Sequence, residues 1–161
     1  MSRLLGAALL AALAGCGAPA EPTGAEHSAL LASLEGAWRV EGLLSSDCPS
    51  GLERAMPLGE TVWSIADGQL QIASRSGTVP AVALAPSGPD ALALTTDVSI
   101  PGCAGTETLS LSLEALDTHW ASGRYTAALA HDGSAACVQL AQEAGLPGQC
   151  QTTVLWQARR L

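Results

Sequence analysis

The hydrophobic pattern of the chain changes period three times. Behind Arg3, positions 4–14 are almost entirely Leu and Ala, an unbroken apolar run. Positions 17–27, Gly-Ala-Pro-Ala-Glu-Pro-Thr-Gly-Ala-Glu-His, have no apolar period and several breakers, and read as a flexible tether. From Ser28 to Leu34 the apolar residues Ala29, Leu30, Leu31 and Leu34 have near-helical spacing, which predicts one or two helical turns capped by Ser28. After Gly36 the period becomes two: Trp38 and Val40 alternate with Arg39 and Glu41, as a half-buried strand requires.

The period of two then persists. A Ser, Asp, Pro and Gly-rich loop at 45–59 contains Cys48, after which Thr61, Trp63 and Ile65 run up to Asp67-Gly68, and Leu70 and Ile72 run away from it. Asp-Gly between alternating runs predicts a hairpin with a type I′ turn, which needs positive φ at both central residues. A weaker strand at 78–84 contains Pro80, which suits an edge or a strand start better than a central position, and Pro86-Ser87-Gly88-Pro89-Asp90 reads as a turn. Leu92, Leu94, Thr96 and Val98 alternate up to a break at 101–105, and Leu109, Leu111 and Leu113 form the cleanest strand. A mixed segment at 119–129 suggests a bend or bulge at Gly123. Residues 134–144 prefer helix, with Ser134 as cap and Gly145 and Pro147 as stop. Val154 and Trp156 alternate in a last strand.

About eight short strands with tight turns predict an all-β fold, a small antiparallel up-and-down barrel with a short N-terminal helix and a helical loop near 134–144. In that topology the loops at 45–59, 99–105 and 130–151 share one rim, and Cys48, Cys103, Cys137 and Cys150 all lie in them. The expected inward set is Trp38, Val40, Trp63, Ile65, Leu70, Ile72, Leu92, Leu94, Leu109, Leu111, Leu113, Val154 and Trp156. It holds no charge, so anything bound inside should be apolar. With no Phe and one Tyr, the four tryptophans Trp38, Trp63, Trp120 and Trp156 are expected to supply most of the large core surface.

The N-terminus sets the expected compartment. A basic residue, a short apolar core and small residues before Cys16 have the order of an export signal too short to span a bilayer. Leu13-Ala14-Gly15-Cys16 moreover resembles the lipobox of bacterial lipoproteins. The resemblance implies cleavage before Cys16 and attachment of lipid, palmitate included, to the Cys16 sulfur. The expected organisation is a signal peptide at 1–15, a lipidated cysteine and tether at 16–27, and a barrel domain at 28–161. Gly17 in place of Asp after the cysteine points, in that family, to the outer membrane, facing periplasm or cell surface. The remaining four cysteines, an even number in an exported chain, read as two disulfides. Three connectivities are open, and the preferred one joins Cys48 to Cys103 and Cys137 to Cys150.

Charge narrows the partners. The chain carries a net charge of −8 and no Lys, and loss of Arg3 with the signal leaves six arginines against fifteen carboxylates. Such a balance argues against nucleic acid or a bare anionic bilayer as the partner.

Gly36-Ala37-Trp38, with Leu34 before it, resembles the Gly-x-Trp opening of lipocalins and their calycin relatives. That resemblance implies a Trp at the closed base of the barrel, covered by an arginine from the last strand, here Arg159 or Arg160. The second lipocalin motif, Thr-Asp followed by an aromatic, is not in place, since Val98 follows Thr96-Asp97. The same opening, Leu34-x-Gly36-x-Trp38-x-Val40-x-Gly42 followed by Cys48, also resembles small periplasmic inhibitors of bacterial metalloproteases. Those inhibitors insert a free N-terminus into the protease, a mode that lipid on Cys16 would block.

Catalytic motifs are not found: there is no Gly-x-Ser-x-Gly, His-Glu-x-x-His, Gly-rich phosphate loop or Cys-x-x-Cys. His119, His131, Cys137 and Cys150 are the zinc-type donors, but their spacing is wide and an oxidising compartment favours disulfides. His131-Asp132 reads as a solvated turn. No cofactor or metal is expected. The sequence thus predicts a non-enzymatic, membrane-anchored lipoprotein with a lipocalin-like barrel for a small hydrophobic ligand. The alternative is a filled-barrel envelope interaction protein, such as a periplasmic protease inhibitor.

Overall fold

A computed structural model describes residues 23–48, 55–77, 80–100, 103–143 and 148–161. Cys16, the expected signal segment at 1–15 and the first part of the tether lie outside them. Eight strands close into one barrel in sequence order, every neighbouring pair antiparallel. They are β1 (Gly36–Ser46), β2 (Gly59–Ala66), β3 (Gln69–Ser74), β4 (Val82–Gly88), β5 (Ala91–Ile100), β6 (Cys103–Leu116), β7 (Trp120–His131) and β8 (Gln149–Arg160). Two helices accompany them among the described residues, α1 (Gly24–Leu34) at one end and α2 (Ala135–Glu143) between β7 and β8. Neither is long and apolar enough to cross a membrane.

Local chemistry accounts for the ends of these elements. The α1 helix begins four residues earlier than the expected Ser28, because Thr23 and Glu26 form a reciprocal capping box, Glu26 N–H donating to Thr23 Oγ1 and Thr23 N–H to Glu26 Oε2. Ser28 instead turns its hydroxyl to the Gly24 carbonyl at 2.9 Å. The Asp67-Gly68 turn has φ of 52° and 72°, the two positive values that a type I′ hairpin demands. Ser134 caps α2 through the Cys137 amide at 3.3 Å.

Three expected boundaries move. The fourth strand runs from Val82 to Gly88, so Pro86 sits within it rather than in a turn. It lies where the β4–β5 register shifts, a place in which a missing N–H is tolerated. Strands β5 and β6 continue to Ile100 and from Cys103, leaving two residues between them where a longer break was expected. The irregularity expected at Gly123 falls on the facing strand, as a register shift between Leu113 and Ala115 of β6. Gly123 accommodates it, since a Cβ there would overlap the Ser112 carbonyl oxygen.

The barrel is lopsided. Strands β2, β3 and β4 have 8, 6 and 7 residues, whereas β5, β6, β7, β8 and β1 have 10 to 14. A tall five-stranded sheet therefore faces a short three-stranded wall. Most of the core lies at the height of the short wall, where Trp38, Trp63, Leu70, Ile72, Leu84, Leu92, Leu111, Tyr125, Val154 and Trp156 are buried. The ring centroids of Trp38 and Trp63 are 5.4 Å apart, and those of Trp63 and Trp156 5.7 Å apart with planes at 67°. Buried Thr61 serves two of these residues at once, donating to the Trp38 carbonyl at 3.2 Å and accepting from Trp63 Nε1 at 2.8 Å.

At the base, α1 closes the barrel. The last carbonyls of a helix have no partner within it, and here three consecutive ones are taken by side chains. Trp38 Nε1 donates to the Leu34 carbonyl at 2.8 Å, while Arg160 donates to the Ser33 and Glu35 carbonyls, both at 2.7 Å. Of the two arginines expected near Trp38, Arg160 is the one over its ring, 4.4 Å from the centroid.

Two core expectations are corrected. Trp120 is 38% exposed, on the outer face of β7, because Ala121, Gly123, Tyr125 and Ala127 take the inner positions. Ile65 is also exposed: Trp63 pairs with the first residue of β1, so the β2–β3 hairpin runs past the barrel floor.

Candidate functional site

The four paired cysteines stand at the rim opposite α1. Their connectivity is Cys48 with Cys150 and Cys103 with Cys137, each with a Cα separation of 4.8 Å, which corrects the expected Cys48–Cys103 and Cys137–Cys150 pairs. Barrel closure supplies the reason. β1 and β8 are neighbours, with Ser46 opposite Thr152, so continuing that ladder by two residues brings Cys48 to Cys150. Cys103 opens β6, against which α2 rests, and Cys137 lies in the first turn of that helix. The first bridge therefore clasps the seam of the barrel, and the second fastens α2 to the wall.

The zinc-type donors are not brought together. Cys137 and Cys150 belong to different disulfides, His131 is at the rim and His119 is at the base. Cys103, Cys137 and Asp132 do approach one another within 4.8 Å. Both sulfurs are in the disulfide, however, and disulfide sulfurs are not thiolate ligands. Asp132 accepts the Ser134 amide at 2.8 Å, which holds its carboxyl below the usual carboxylate range. His131 Nδ1 accepts the Gly133 amide at 3.0 Å. The His131-Asp132 pair thus shapes the turn into α2.

A different feature marks the inner surface near the rim. Above the short wall, the inner face of the tall sheet has no strand opposite it among the described residues. By strand alternation this face carries Leu44 on β1, Thr96 and Val98 on β5, Glu107 on β6, Leu129 on β7 and Thr152 on β8. Leu44 remains 49% exposed although its cross-strand partner Val154 is buried. Thr96 is exposed, and Val98, Glu107 and Leu129 are half-buried. Met56 and Pro57, just before β2, are buried, and Met56 belongs to the core cluster. A packed floor of tryptophans thus gives way to a partly open mouth.

The mouth departs from the sequence expectation in one respect. Glu107 shares its face of β6 with Leu109 and Leu111, so the inner surface is not free of charge. Sequence reasoning passed over it because it lies in a Thr-Glu-Thr stretch that reads as polar throughout. Its parity with Leu109 and Leu111 was the available signal. Thr152 is also inside and fully buried, with its hydroxyl 2.8 Å from that of Ser46. The Trp156 indole N–H meets no hydrogen-bond acceptor among the described residues.

The outer surface has its own apolar patch. Leu43, 77% exposed, lies opposite Leu155, 46% exposed, beside a groove of about 660 Å³ that also borders Glu41, Glu114 and Arg124. The β1 backbone at 42–46 pairs with β8 on one side and, among the described residues, with no strand on the other.

In comparison with known proteins, the chain matches no family model, no curated protein and no solved structure.

Proposed function

We propose that this is a lipid-anchored envelope protein, held at the outer membrane through Cys16, whose barrel binds a small, mainly apolar ligand at its mouth. The observation that carries the reading is Leu44. A leucine on the inner face of a closed barrel, half exposed above a floor of buried tryptophans, marks apolar surface that a ligand would cover. Thr96 and Glu107 add polar groups on the same face, so the ligand has a polar end as well as an apolar body. Closure of the base by α1 and Arg160 makes the mouth the route of entry.

The test is native mass spectrometry of the mature chain from Gly17, produced in a periplasm and purified without detergent. The expected result is a co-purifying small mass that is lost on unfolding and reduced in Leu44→Asp. A clean apo mass that also fails to bind fatty acid or phospholipid would overturn the ligand reading. The anchor is tested separately: the full chain should incorporate labelled palmitate, and Cys16→Ser should not.

The second reading, an envelope interaction protein such as a protease inhibitor, is favoured by the β1 edge. Away from β8, the backbone at 42–46 pairs with no strand among the described residues, beside Leu43 and Leu155, and uncharged edges of this kind accept an added strand from a partner. Under this reading Leu43→Lys would abolish association with the partner while leaving the chain folded and free of any small co-purifying mass.

A further inference from the structure

Near the base, on the outer wall, one row of residues runs across three strands. Arg39 of β1 is directly opposite Arg159 of β8, and Arg159 is directly opposite Trp120 of β7. All three line a cleft of about 230 Å³, together with Glu41, Gln157 and Leu161. Like charges facing each other across an antiparallel pair are destabilising, and this chain has few arginines to place. Only Arg39 is compensated, by Glu60 at 2.9 Å, and Glu60 also holds Arg75 at 3.2 Å. Among the described residues, the Arg159 side chain has no ion pair or hydrogen bond. Glu41 shares the face but receives Gln157 Nε2 at 3.4 Å. Beside Arg159 lies Trp120, the one tryptophan that is not buried.

From this row we infer a binding site for a phosphate ester. Two adjacent guanidinium groups present more donors than a single carboxylate can accept, whereas the tetrahedral terminal oxygens of a phosphate ester turn lone pairs toward both at once. Trp120 supplies a flat apolar surface for the carbon that bears the phosphate. The cleft is smaller than the ~300–1,000 Å³ typical of sites that enclose a whole drug-sized ligand. It therefore takes a head group, presented either by a soluble ester or by a phospholipid at the membrane surface. The site does not depend on the ligand reading of the barrel mouth.

The test uses the mature chain from Gly17, which contains the whole barrel, and isothermal calorimetry at low salt. The titrants are phenyl phosphate and, separately, vesicles of phosphatidylcholine with and without phosphatidylglycerol. Saturable binding of phenyl phosphate is expected, about tenfold weaker in Arg159→Gln, as loss of one charged hydrogen-bonding partner implies. In Glu41→Gln binding should be tighter, because a carboxylate leaves the cleft. Saturation by vesicles but not by phenyl phosphate, with the same response to Arg159→Gln, assigns the head group to a lipid. Binding of neither titrant, or binding that Arg159→Gln leaves unchanged in a variant whose near-ultraviolet circular dichroism is native, overturns the inference.

Discussion

The guanidinium carbon of Arg160 lies 4.4 Å from the centroid of the Trp38 ring, and its two terminal nitrogens reach the Ser33 and Glu35 carbonyls at 2.7 Å each. One side chain therefore joins the last strand, the first strand and the end of α1. A cation is also the favourable charge at a helix C-terminus. Arg160→Ala should remove a cation–π contact of ~1 kcal/mol and two charge-assisted hydrogen bonds. The expected loss in urea unfolding is about 3 kcal/mol, with Arg160→Lys recovering part of it. A loss below about 0.5 kcal/mol would mean that α1 closes the base without this contact.

The disulfide connectivity has a direct chemical test. Cleavage after glutamate places the four rim cysteines in separate peptides: 42–53 with Cys48, 61–107 with Cys103, 115–143 with Cys137 and 144–161 with Cys150. Without reduction, 42–53 should appear joined to 144–161, and 61–107 to 115–143. The bridges span 102 and 34 residues. In the chain-entropy description the longer loop is worth about 1 kcal/mol more. Replacing Cys48 and Cys150 by Ala should therefore lower stability more than replacing Cys103 and Cys137.

These cysteines illustrate what could be read from the chain alone. Period-two alternation and the Asp67-Gly68 turn determine strand number, order and which end each loop occupies, so the shared rim was legible. Pairing was not, because it depends on β1 and β8 meeting when the barrel closes, a contact between residues more than a hundred positions apart. The phase of β7 was hidden for a related reason. Its inner positions are Ala121, Gly123, Tyr125 and Ala127, mostly small residues with little hydrophobic signal, so Trp120 was the conspicuous residue although it faces outward. The partly open mouth was not legible either. It arises from the difference in strand length between the two walls, and β5 and β6 take in residues 99–100 and 103–105, which read as part of a rim loop.

Gly123 is a position where a single methyl group should matter. A Cβ there would overlap the Ser112 carbonyl oxygen and press on the Leu113 backbone, beside the irregularity in β6. Because the obstacle is backbone, relief requires the two central strands to separate. Gly123→Ala should cost about 2–3 kcal/mol, the upper part of the range for overpacking in a core. Gly88→Ala is the control, since its Cβ would meet the Ala91 Cβ at an ordinary 3.5 Å. Equal urea midpoints for the two variants would contradict the close β6–β7 approach.

Acid should loosen the turns before the barrel core. The Asp117 carboxylate accepts the His119 and Trp120 amides, both at 2.7 Å, and these bonds hold its pKa below the usual carboxylate range. Glu60 is held down by the hydrogen bond from Arg39 and by Arg75, and Glu26 by the Thr23 amide in the capping box. In each case the folded chain favours the ionised form, so it binds fewer protons than the unfolded chain. The resulting stabilisation is fully present above the unfolded carboxylate pKa of about 4 and is lost as pH falls through the lower folded values. Urea midpoints should therefore be flat from pH 7 to about pH 5 and decline below it. Asp117→Asn keeps an acceptor but cannot ionise, so its midpoint should be lower at pH 7 and fall less steeply toward pH 3. Parallel curves for parent and variant would show that the Asp117 turn does not contribute to the acid limb.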